Sequence, residues 1–415
     1  MTIVEKILAR ASGQERVSPD DRVWASIDLA AIRDFGGPNV VLEFKEFTGG
    51  GRVWDPGKIA ITFDYQAPAK VEKVAENQKI CRDFAREQGI ESLFEVDSGI
   101  GQHVLYEQGL VRPGSVIVGT DSHMNLLGAL GSFAEGMGTT DIVAAFASGE
   151  LWFRVPETMR ITLEGEVGEP VAPKDVILHV LGELGADGAL DRCIEFEGGT
   201  IDAFGVSDRI TVASMVTEMS GDVGFIRLND AITQDLEARI GESVAPVNPD
   251  PDADYAEALE FDVGDLEPLV ACPHSPDNVK PVGDVEGTPI DQAFLGSCTN
   301  GRVEDLEAAA RVLEGKRVAE GVRMIVVPAT REVAEQALER GLYRIFMRAG
   351  AIVCNPGCSL CTMGHHGVLG PGETCISTSN RNFPGKLGRG SKVYLASPST
   401  VAYSAIRGEI ADPRG

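Results

Sequence analysis

Short, wholly apolar runs alternate along this chain with longer stretches of helical period, and glycine, proline and small polar residues mark the switches. Residues 59–63 (Ile-Ala-Ile-Thr-Phe) read as a buried strand, and 69–88 as a helix stopped by Gly89. Residues 115–118 predict a strand running into Gly119-Thr-Asp-Ser-His-Met-Asn125, and Thr140 can cap a helix that reaches Ser148. Strands around Phe294 and over 324–327, 351–353, 374–378 and 393–396 repeat the theme, usually with a helix following. Such alternation predicts an α/β protein with mostly parallel sheets. The most linker-like stretch is Pro246-Val-Asn-Pro-Asp-Pro-Asp-Ala-Asp254, and a second boundary falls near Val155-Pro156. Three α/β domains are expected, over 1–155, 156–270 and 271–415.

Composition narrows the partners. The 415 residues are 43% hydrophobic and 24% charged, which is ordinary globular composition, but the formal charge is −26. That charge repels nucleic acid phosphates and anionic membrane surfaces, so neither is an expected partner. An anionic substrate would need local Arg or Lys. The start, Met-Thr-Ile-Val-Glu-Lys, lacks the apolar core of a signal peptide, and no apolar run approaches a membrane span. Eight cysteines in such a chain fit a reducing compartment, so a cytoplasmic location is expected. Cys81, Cys193, Cys272, Cys354 and Cys375 read as small buried hydrophobes.

The candidate chemistry gathers where predicted strands end, which is where open α/β sheets place their ligands. Asp64 ends the first strand, and Asp121, Ser122 and His123 follow the second. Cys298 follows the strand around Phe294, Cys358 and Cys361 follow 351–353, and Asn380 and Arg381 follow 374–378. Three thiolates brought together can hold an iron–sulfur cluster with one iron lacking a protein ligand, a Lewis acid open to substrate. The Cys-x-x-Cys pair alone also fits a zinc knuckle recruiting His365 or His366, or a redox pair; the redox pair leaves Cys298 unexplained.

The surrounding motifs resemble one family. Gly119-Thr-Asp-Ser-His123, Gly128-Ala-Leu-Gly131, Leu295-Gly-Ser-Cys-Thr-Asn-Gly-Arg302, Pro356-Gly-Cys-Ser-Leu-Cys361 and Thr378-Ser-Asn-Arg-Asn-Phe-Pro-Gly385 are similar to the aconitase superfamily. Thr2-Ile-Val-Glu-Lys-Ile-Leu-Ala-Arg10 and Val111-Arg-Pro-Gly114 resemble the large subunits of 3-isopropylmalate dehydratase and homoaconitase. The resemblance covers nearly the whole chain. It implies three α/β/α domains around a [4Fe–4S] cluster held by Cys298, Cys358 and Cys361. The swivelling domain, with its serine base, would come from a separate small subunit.

The implied reaction is dehydration and rehydration of a small hydroxy di- or tricarboxylic acid. By motif match Asp64, Asp121, Ser122, His123 and Glu218 are catalytic, with Glu218 holding His123 and setting its tautomer. Asn380, Arg381 and Lys386 match substrate contacts. Several positions depart from the family pattern: Tyr65 follows Asp64 where histidine is usual, and Gln102-His103 stands for His-Gln. Lys386 replaces an arginine, Ser214 an asparagine, and Arg33-Asp-Phe-Gly-Gly-Pro38 a His-Asp-x-Thr-like stretch, while Met124-Asn-Leu-Leu127 is less polar than the usual continuation. His103 is a candidate to act for its displaced neighbour. These changes predict a divergent enzyme with an unusual substrate; the competing reading is a non-catalytic, cluster-bearing sensor or scaffold.

Overall fold

The structure, a computed structural model, describes residues 1–360 and 365–415. Among the described residues the strands form three sheets and one two-stranded ribbon. The first sheet runs Ser92–Phe94, Ile59–Thr62, Leu29–Arg33, Val116–Gly119, Phe133–Gly136 in spatial order, all parallel. Ile59–Thr62 and Val116–Gly119 are buried along their whole length, as strands covered on both faces must be. Helices Gly37–Thr48, Glu72–Gln88 and Thr139–Ser148 cover one face. Their Phe44, Phe84 and Phe146 meet ring to ring, with Phe84 and Phe146 stacked at 6.1 Å. Such pairs add about 0.5–1.5 kcal/mol each beyond area burial.

Expected elements lie close to where the pattern puts them. The helix expected over 69–88 begins at Glu72, because Val71 takes an extended conformation, and it closes on Gly89 in the left-handed region. The helix expected from Thr140 starts one residue earlier, with Gly138 and not a threonine at its cap.

The second sheet orders Gly224–Ile226, Arg192–Glu197, Glu157–Glu164 and Glu257–Asp262, again all parallel. The third orders Val279–Pro281, Leu269–Ala271, Lys392–Ala396, Thr374–Ser377, Gln292–Leu295, Arg323–Val326 and Ile352–Val353. It is parallel except around Leu269–Ala271, which runs against both neighbours. The proline- and acid-rich run 246–254 is a crossover within the second sheet, joining helix Asp230–Ile240 to strand Glu257–Asp262. Its Asp250 is held by the Met1 ammonium at 2.7 Å and by Lys6 Nζ at 2.6 Å.

The ribbon pairs Arg22–Ser26 with Glu150–Arg154, antiparallel, and sets Trp24 opposite Trp152. Both indoles stand in water, 66% and 57% exposed. Among the described residues no helix is long and apolar enough to cross a membrane.

The carboxyl ends of the first and third sheets face each other across a tight seam. Ile100 N–H donates to the Ala329 carbonyl at 2.8 Å. Gly99, at φ +106°, bridges Thr330 there, and a Cβ on it would lie 2.3 Å from the Ala329 oxygen. Only glycine fits.

Candidate active site

Arg33 ends its strand between two aspartates. Its guanidinium pairs with Asp121, lies 3.7 Å from Asp64 Oδ1, donates toward Cys358 Sγ at 3.6 Å, and covers the Tyr65 ring at 5.3 Å. Asp64 is buried and accepts from Gly101 N–H at 2.8 Å, while its carbonyl accepts from Cys358 N–H at 2.9 Å. Burial pushes the Asp64 carboxyl up, against the downward pull of Arg33. Asp34, next in sequence to Arg33, takes the Tyr65 N–H at 2.9 Å and fixes the turn after Asp64.

Arg33, Asp64 and Asp121 line a small cleft of about 10 Å³, room for roughly one water, together with Gln102, Thr120 and Met124. Gln102 is 2% exposed, and among the described residues neither of its amide atoms has a hydrogen-bond partner. An orphaned buried polar atom costs about 1–3 kcal/mol.

A second group adjoins this cleft through Asp121. His123 Nε2 lies 3.0 Å from Glu218 Oε1, and since a carboxylate only accepts, Nε2 carries the proton. Arg381 Nε donates to both Glu218 oxygens at 2.9 and 3.1 Å, which locks the carboxylate in place. The other imidazole nitrogen, Nδ1, faces Ser122 Oγ at 3.3 Å and Asp121 Oδ1 at 3.7 Å. Asp121 also caps the turn by accepting from His123 N–H at 2.8 Å. Burial pushes His123 down, opposed by the Glu218 hydrogen bond.

The thiols complete the picture. Cys298 and Cys358 are both buried and share one core cluster with Met124 and Ala329. Asn380 Oδ1 lies 3.6 Å from Cys298 Sγ and accepts from Ser297 Oγ at 3.1 Å, while its Nδ2 donates to Ser214 Oγ at 3.0 Å. Ser214 Oγ is itself 3.9 Å from the Cys298 sulfur. The backbone bends sharply at both thiols: Ser297 has φ +80°, and Gly357 has φ +150° with its Cβ position 2.9 Å from the Asp64 oxygen. Soft sulfur donors flanked by hydroxyl, amide and guanidinium groups suit an iron–sulfur cluster, whose sulfurs are tuned by such hydrogen bonds. Cys361 lies outside the described residues.

The remaining candidates take the following places. His103 sits beside Gln102 on helix Gly101–Glu107 but turns away from the cleft. Its Nε2 meets the Cys298 carbonyl at 2.9 Å, and its Nδ1 lies 3.3 Å from Arg302. Burial and then Arg302 push it down to about 3. It props the Cys298 loop. Lys386 is half-buried, and its charge reaches His123. His365 is buried with its Nδ1 accepting from His366 N–H at 2.7 Å. In the sequence Arg33, Ser214 and Gln102 stand out only as departures from a pattern, and Lys174 does not stand out at all. A polar residue closing an apolar strand was the available signal for Arg33, and a lysine in a helix's first turn, where the dipole disfavours it, was the signal for Lys174.

Among the described residues no group of three or more His, Cys, Asp or Glu is gathered to hold a metal. The class of protein, a hydro-lyase of aconitase type, follows from the fold and from the chain's relatives. A family model described as the aconitase family (aconitate hydratase) matches residues 5–289 and 279–408, and the chain belongs to that family. It is 53% identical to the 3-isopropylmalate dehydratase large subunit 1 of Methanopyrus kandleri, covering 100% of this chain and 99% of the relative. It is 50% identical to a probable methanogen homoaconitase large subunit of Methanothermobacter thermautotrophicus, over 100% and 98% of the two chains. The 3-isopropylmalate dehydratase large subunit of Aquifex aeolicus is 46% identical, over 100% and 97%. Among solved structures, the crystal structure of Thermococcus kodakaraensis aconitase X (holo-form) shares the fold, with a TM-score of 0.50 and 13% identity over 92% of this chain and 89% of that one. Membership of the family implies an iron–sulfur cluster.

Proposed function

We propose that this chain is the large subunit of a two-chain dehydratase that removes and re-adds water on a small hydroxy di- or tricarboxylic acid, of the 3-isopropylmalate type. Cys298, Cys358 and Cys361 would hold a [4Fe–4S] cluster, which when bound supplies a Lewis acid for the departing hydroxyl. The single observation that carries the reading is that the His123–Glu218–Arg381 chain connects to both thiols through its neighbours: Asn380, next to Arg381, touches Cys298, and Arg33 pairs with Asp121 while donating toward Cys358.

In this reading Glu218 keeps the proton on His123 Nε2 and stabilises the imidazolium, so Nδ1 is the nitrogen that exchanges a proton with the reacting oxygen. Ser122 and Asp121 orient that nitrogen, and Asp64 with Gln102 contacts the oxygen-rich part of the substrate. Asn380, Arg381 and Lys386 supply the positive and polar wall that a carboxylate needs in a chain of charge −26. A small subunit, implied by the names of the relatives, would bring the base that takes the carbon-bound proton.

The test is anaerobic reconstitution with iron and sulfide, alone and with the small subunit, followed by a panel of 2- and 3-hydroxy diacids. Turnover should need both chains, and Cys298→Ser should abolish both turnover and cluster uptake. A chain that takes up no iron and sulfide, or a loaded pair that turns over no hydroxy acid, would overturn the reading. Glu218→Gln should lower kcat by about 10²–10⁴-fold, the usual range for losing acid–base support.

A further inference from the structure

Lys174 opens helix Pro173–Leu184 and is wholly buried. A cation in a first turn sits at the positive end of the helix dipole, where it is disfavoured. Burial also pushes its amine down to about 8. Its Nζ donates to the Ser379 carbonyl at 3.0 Å, the Thr378 carbonyl at 3.2 Å and Met215 Sδ at 3.5 Å. Among the described residues no carboxylate bonds to it. Its sequence neighbour Asp175 faces elsewhere, accepting from Ala172 N–H at 2.8 Å and Leu269 N–H at 2.9 Å.

An ammonium stripped of water and given only dipoles is disfavoured by several kcal/mol. The negative groups whose fields reach it are, in falling order, Cys298, Glu218, Asp305 and Asp175. The two carbonyls it grips immediately precede Asn380, which touches the Cys298 sulfur, and Arg381, which locks Glu218. Three thiolates outweigh the charge of a dipositive iron–sulfide core, so a loaded centre is net negative.

We propose that Lys174 is the buried counter-charge of the cysteine centre and the positioning residue of the Asn380–Arg381 turn. The proposal rests on the cluster reading above. It separates Lys174 from an ordinary structural clamp in one respect: loading the centre adds negative charge near it beyond what Glu218, Asp305 and Asp175 already supply. Stability conferred by loading must therefore depend on that charge.

The experiment compares wild type with Lys174→Met, which keeps the length and removes the charge. Iron and sulfide content, melting temperature with and without the cluster, and the midpoint potential of the loaded protein are measured anaerobically. The cluster-free variant should melt no lower than cluster-free wild type. Loading should raise its melting temperature by clearly less, and its potential should move negative, because an electron is harder to add without the nearby positive charge. A folded variant that fails to retain the cluster would support the proposal equally. Equal gains on loading with an unchanged potential would overturn the proposal, as would an equal loss of stability in both states. Should methionine prevent folding, Lys174→Gln enters the same comparison, and if neither folds without the cluster the counter-charge role is refuted. Wild type that takes up no iron and sulfide would instead refute the cluster reading.

Discussion

Gln102 is a side chain whose contributions to folding and to chemistry have opposite signs. It is buried with both amide atoms unpartnered among the described residues, in the cleft shared by Asp64, Asp121 and Arg33. Replacing it with leucine removes two desolvated polar atoms at similar volume. Gln102→Leu should leave the melting temperature unchanged or higher while kcat/KM falls at least tenfold; an unchanged kcat/KM would contradict a ligand-reading role. Arg33 behaves in the reverse way. Arg33→Leu strands Asp121 and Asp64 without their common cation, and breaking a largely buried pair costs about 3–5 kcal/mol. Denaturant unfolding should register a loss of that order.

The sequence made Gln102 and Tyr65 visible as oddities but could not place them. Their meaning lies in contacts between strand ends far apart in the chain: Arg33 reaches Tyr65, Asp121 and Cys358 at once. Local pattern carries no record of such meetings. The place of His103, against the Cys298 carbonyl, was hidden for the same reason, since which way each of two neighbours on a helix faces depends on the helix's rotation against the sheet.

At the scale of elements, the strands the pattern named lie within about a residue of their places, because strands buried on both faces are short apolar runs. Leu29–Arg33, Ser92–Phe94, Phe133–Gly136 and the whole second sheet went unnamed. The pattern was also less able to find Leu269–Ala271, a three-residue strand running against its neighbours, or the 3₁₀ stretch Met124–Leu130 that follows His123. Neither has a period long enough to read. The seam at Gly99 gives this scale its test. Alanine there is strained at φ +106° and would drive its Cβ into the Ala329 carbonyl. Gly99→Ala should lower stability by about 1–3 kcal/mol and should disturb the Asp64–Cys358 contact along the same seam, read as reduced iron uptake. Full stability would show that the two sheets tolerate separation there.

Taken whole, the molecule carries far more acid than base, and part of that acid is placed against itself. Glu135, at the end of Phe133–Gly136, is pushed up to about 8 by burial, by Asp222 and by Asp141, and Asp222 is pushed up to about 6 by burial and by Asp191. A carboxyl raised in the native state binds more protons folded than unfolded across the interval between its two values. Stability therefore falls as pH rises through that interval. For Glu135 it runs from 4.5 to about 8. Glu135→Gln should melt like wild type near pH 4.5 and progressively higher than wild type up to pH 8, measured by thermal scans at fixed ionic strength. No widening difference would remove the self-repulsion argument.

The antiparallel ribbon gives the protein an optical signature. Two of its three tryptophans stand opposite each other in water, while Trp54 is partly covered. Native emission is thus already red-shifted and accessible to iodide, so intensity or wavelength alone will report unfolding poorly. Replacing Trp24 and Trp152 with phenylalanine should leave Trp54 as the sole emitter, bluer and less quenched by iodide, and so able to report the first sheet's core as it opens.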